Sequence, residues 1–138
     1  RDDVESRGLG DVYKRQRQYP TISSMEECFS VAFHTARENR RAVMHIFNSS
    51  NRDMFLQDTM RLCEYVVKTY IATAFANTAI TEDDRRVVVQ FMKCQLFGVW
   101  IDWVSGGMKE ESFADLQRMI QLCRGVPELI VAHSNGQA

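Results

Sequence analysis

The sequence predicts an all-α fold, a bundle of about five helices around one core. Three observations predict it. Apolar residues recur at helical spacing from Ser23 to Arg124, the breaks between these runs carry helix caps and stops, and no stretch alternates polar with apolar as a strand would. At 138 residues the chain fits one domain, and a net charge of -1 gives no electrostatic pull toward nucleic acid.

Residues Arg1 to Gln16, RDDVESRGLGDVYKRQ, have balanced charges, two glycines and no apolar period. They offer nothing to bury, so a disordered lead is expected there. The DVYKRQ end also looks like translated adapter or vector sequence.

The first helix is expected after Ser23-Ser24, each serine being followed three residues later by a glutamate, Glu26 and Glu27. That is the capping-box pattern, in which the hydroxyl and the carboxylate satisfy free N–H groups at a helix start. Phe29, Phe33 and Ala36 give it one apolar face up to a charged exit at Arg37 to Arg41. A short second helix, Ala42 to Phe47, presents Val43, Ile46 and Phe47, and Asn48-Ser49-Ser50-Asn51 forms a turn. The third runs from about Arg52 to Asn77 with Phe55, Leu62, Val66, Tyr70 and Phe75 on a broad face, and Glu64 and Lys68 spaced to pair. Thr81 caps the fourth, with Glu82, Asp83 and Asp84 at the positive end of its dipole. Gly106-Gly107 end it, and Ser112 with Asp115 is expected to start the fifth, whose stripe is Phe113, Leu116, Ile120 and Cys123. Gly125 and Pro127 are read as its stop.

The fourth helix is the most informative. From Leu96 to Val104 large apolar side chains stand at almost every angle, so it needs cover all round. Neighbouring helices can cover one side, and the other calls for a second subunit. Trp100 and Trp103 are expected on different sides of it, with at most one inside the core.

Cys28, Cys63, Cys94 and Cys123 lie far apart without CxxC spacing and within apolar patterns, as buried free thiols do, which suggests a reducing, cytoplasmic setting. No membrane span or signal peptide is expected. His34 and Glu38 could share a helix face as metal ligands or an acid–base pair, but a surface contact explains the pair and no further ligand stands near in sequence. Without a nucleophile motif, a phosphate-cradling loop or HExxH, the sequence predicts no enzyme, no metal and no cofactor.

The succession HTARENRRAVMHIF, a long helix, then FGVWIDWVSGGMKEESFADLQRMIQ resembles the C-terminal ligand-binding and dimerisation domain of TetR-type transcriptional regulators. The nearest branch looks like the activators of dihydroxyacetone kinase operons. The likeness rests on Glu38-Asn39-Arg40, on Gly98 to Trp103, and on Gly107-Met108-Lys109-Glu110, and it covers roughly Ser24 to Arg124.

The resemblance implies that residues 17–138 form a regulatory domain whose middle helices enclose a small-molecule effector and whose last two long helices pair with a second subunit. DNA would be reached only through an N-terminal helix-turn-helix, and nothing before Tyr19 looks like one. Polar groups inside apolar surroundings mark the expected pocket: Met44, Phe55, Cys63, Val66, Tyr70, Phe91 and Gln95. For the homodimer face the candidates are Phe97, Gly98, Trp100, Ile101, Val104, Phe113, Leu116 and Ile120. The alternative reading is a structural dimerisation module with no pocket.

Overall fold

A computed structural model describes residues 22–136, and the expected lead, Arg1 to Gln16, lies outside the described residues. Six helices follow in order: α1 Met25–Glu38, α2 Arg40–Phe47, α3 Arg52–Ala74, α4 Glu82–Ser105, α5 Glu110–Leu122 and α6 Val126–Ser134. The described residues contain no strand.

The caps act as their residue types require. The Ser24 hydroxyl accepts from the Glu27 amide at 3.2 Å, while the Glu27 carboxylate accepts from the Ser23 amide and hydroxyl at 3.2 and 3.0 Å. Of the two overlapping patterns, Ser24 and Glu27 form the cap, and Glu26 instead pairs with Arg124. Thr81 caps α4 by accepting from the Asp84 amide at 3.1 Å.

Helices α3 and α4 make the largest pairing and form an antiparallel hairpin. Phe55 meets Trp100 with ring centroids 5.7 Å apart, and farther along α3 the Glu64 carboxylate lies 3.7 Å from the Lys93 ammonium. Helix α1 lies across both through Phe33, whose ring sits 5.2 Å from that of Trp103. Trp103 in turn meets Phe113 of α5 at 5.8 Å.

Trp100 and Trp103 are therefore both buried, at 0% and 3% exposure, contrary to the expectation that only one would be. Three residues advance a helix by 300°, so the two indoles stand about 60° apart on one broad face. That face is wide enough for α3 and α1 to share. By length and composition alone this helix could cross a membrane, and 28% of its most apolar stretch is buried within the chain.

Helix α4 ends as glycine allows. Gly107 takes a φ of 91°, and the next residue, Met108, also turns left-handed at 57° with its side chain buried. Helix α5 then starts at Glu110 rather than at Ser112, without a side-chain cap and with Glu110 and Glu111 in its first turn.

From α1, Arg37 reaches Glu110 of α5 at 2.6 Å while its guanidinium lies 4.4 Å from the Phe113 ring centroid, and Arg124, just past the end of α5, reaches Glu26 at 3.2 Å. Helix α6 was not expected. Gly125, at a φ of 89°, ends one helix and caps the next, and Pro127 occupies the first turn of α6, where its missing N–H costs nothing. The α6 end is fastened to the α4 start by the Ser134 hydroxyl donating to Asp84 at 2.6 Å.

Candidate functional site

The α1, α4, α5 and α6 helices converge around a cavity of about 280 Å³, with one residue, Val67, supplied by α3. Its wall is built almost wholly from apolar side chains. Met25, Cys28 and Phe29 come from α1, Met92, Leu96 and Val99 from α4, and Met119 and Ile120 from α5. Cys123, Val126, Pro127 and Ile130 close it from the C-terminal side. Gln95 is the one side chain in the wall with a strong hydrogen-bonding group, and no Asp, Glu, Lys, Arg or His lines it.

This wall can hold a neutral, largely apolar molecule. The cavity is partly open to solvent, and a charged group seated against this wall would lose hydration on that side with no countercharge to replace it. Five of the lining residues carry sulfur, Met25, Met92, Met119, Cys28 and Cys123, which suits contact with the edge of an aromatic ring. Burial pushes the Cys28 thiol up to about 12, with the nearby Glu27 adding to the effect, so Cys28 stands in the wall as a neutral thiol and not as a nucleophile.

Of the residues expected to ring a pocket, Phe91 and Gln95 line this cavity. The others lie elsewhere. Phe55, Cys63, Val66 and Tyr70 are core residues at 7%, 0%, 0% and 2% exposure, and Met44 packs half-buried against that core. On α3 it is Val67, not Val66, that reaches the cavity, because the wall is completed by α1 and α6 rather than by α2.

The residues expected at a dimer face also divide. Trp100, Val104 and Ile120 are buried within the chain, so they present no free surface, whereas Phe97, Ile101, Phe113 and Leu116 are half-buried and Gly98 is open to solvent. Trp100 is turned inward so completely that its indole N–H finds no protein acceptor. The four thiols split as well: Cys28 and Cys63 are buried, but Cys123 is half-exposed and Cys94 exposed, against the expectation that all four would be inside.

His34 and Glu38 form an exposed pair at 3.0 Å. Among the described residues no group of three or more His, Cys, Asp or Glu side chains could hold a metal ion.

A family model described as a transcriptional regulator C-terminal region matches residues 23–125, and the chain belongs to that TetR-type family. Curated proteins and solved structures give no significant match.

Proposed function

We propose that the chain is the effector-sensing and dimerising part of a cytoplasmic transcriptional regulator of the branch that resembles dihydroxyacetone kinase operon activators. The effector is a neutral, mostly apolar small molecule, and DNA is read by a helix-turn-helix head joined to the N-terminal side of this domain. The observation that carries the reading is the α1–α4–α5–α6 cavity with its single amide, Gln95.

Because the wall draws on four helices, a ligand that prefers one packing of α5 and α6 over another shifts the population of the two. The paired heads then change spacing. A ligand without that preference has no regulatory effect however tightly it binds.

Thermal unfolding tests this directly. A panel of neutral aromatic compounds is expected to contain members that raise Tm by several degrees at saturation, since a ligand at 100 times its Kd contributes about 2.7 kcal/mol. Carboxylates and phosphate esters of matched size should leave Tm unchanged. The Val99→Phe variant, with the cavity filled, should lose the response while keeping its helicity. A panel in which no compound shifts Tm would favour the structural dimerisation module.

A further inference from the structure

We infer that the groove between α1 and α5 is a second binding site, shaped for an elongated dianion, a small molecule with a carboxylate at each end and an apolar chain between. Such a site is separate from the cavity and stands whether or not the cavity takes an effector.

The two helices run antiparallel, tied at one end by Arg37 with Glu110 and at the other by Glu26 with Arg124. Between these ties lies a groove of about 380 Å³ whose floor is Phe29 and Phe33 from α1 and Phe113, Leu116 and Ile120 from α5. Phe29, Phe113 and Leu116 are only half-buried, so a chain laid over them removes apolar surface from water. Phe29 and Ile120 also line the cavity, and these two side chains form the partition between the two spaces.

Charge at both ends sets the groove apart. The cavity wall has none, whereas the groove wall carries Arg37 at one end and Arg124 at the other, with Glu26 beside Arg124 and His34 three residues before Arg37. Each arginine already holds a carboxylate, and each of these pairs is solvent-exposed, so either can take on or exchange a carboxylate at little cost. Among the described residues Arg124 meets Glu26 through Nε alone, which leaves its two Nη groups to fork onto a second carboxylate. Arg37 donates from Nε and Nη2 to Glu110 and keeps Nη1.

The distance between the ends selects the ligand's length. Glu26 and Arg37 stand eleven residues apart on α1, so at about 1.5 Å per residue the ends are roughly 16 Å apart, the reach of an extended chain of about twelve carbons. A monoacid of that length satisfies one arginine and lays its apolar tip against the other. A short diacid reaches one end only.

Titration calorimetry at low salt compares three probes: dodecanedioate, then dodecanoate with the same length and one carboxylate, then adipate with two carboxylates and about half the length. Dodecanedioate should bind at least about tenfold more tightly than either. Arg124→Gln and Arg37→Gln should each bring it down to the level of dodecanoate. Arg61→Gln, which removes the same charge from α3 outside the groove, should leave it unchanged. Circular dichroism confirms that each variant is helical. Equal binding of dodecanoate and dodecanedioate overturns the two-ended site. So does a dodecanedioate affinity that survives both groove substitutions, or that falls as far with Arg61→Gln. No binding of dodecanedioate overturns the site outright, and it leaves untouched the thermal response to neutral compounds that tests the cavity.

Discussion

Cys28 and Cys63 show how far a single buried group can set the pH response of this chain. Burial raises both thiols to about 12 from an ordinary value near 9, and it raises the Tyr70 hydroxyl too. A thiol whose folded pKa lies above its unfolded one contributes stability that is complete below pH 9. That stability falls as pH rises toward 12, by roughly 1 kcal/mol per pH unit for each thiol. Melting curves from pH 7 to 11 should therefore be flat at first and then fall, and Cys63→Ala should make the fall shallower. At pH 8 a thiol reagent should modify Cys123 in the folded chain and reach Cys28 and Cys63 only on unfolding. Trp100 supplies a second case at this scale. Removing the whole indole, Trp100→Ala, should cost about 3–5 kcal/mol by leaving a cavity between Phe55 and Phe97. Trp100→Phe should cost much less in urea unfolding, because it keeps most of the ring and deletes an N–H that has no protein acceptor.

Helix α5 depends on the turn before it. Gly107 and Met108 both adopt left-handed backbone, and the Gly107 carbonyl accepts from the Arg40 guanidinium at 2.9 Å, joining the turn to the start of α2. A Cβ at Gly107 would touch nothing, so Gly107→Ala isolates the backbone cost, expected at about 1–2 kcal/mol in chemical denaturation. The ion pairs from α5 to α1 are exposed, and Arg37→Ala should cost less than about 1 kcal/mol. Much at this scale was legible in the sequence because it is local. Ser24 and Thr81 cap helices wherever a free N–H lies two or three residues on, and the faces of α1, α2 and α3 follow from spacing alone. The α6 helix was not legible, since Gly125-Val126-Pro127 reads equally as the stop of one helix and the start of the next. Only packing decides between them. The cavity suffered from the same ambiguity: Phe91 and Gln95 could be placed on one face of α4, but which helix faced them could not. Met25, Met119 and Ile130 entered the wall once α1, α5 and α6 had positions.

Stability is unevenly spread over the whole molecule. The α3–α4 hairpin holds most of the core, whereas α5 has one buried residue, Ile120, and α6 has Pro127 and Val131. Amide hydrogen exchange should find the Leu62–Ile71 and Leu96–Val104 segments protected up to the free energy of global unfolding, and α5 and α6 exchanging through smaller openings. The uneven protection bears on time as well as on strength. Helices α5 and α6 are the lightly buried side of the cavity, so in the proposed sensing role a bound molecule would leave by their opening, without the core melting. For the proposed effector, dwell time would then follow how often two lightly held helices open, and any substitution that fastens them, in α5, in α6 or in the turn at Gly125, should lengthen the signal without adding a contact to the ligand.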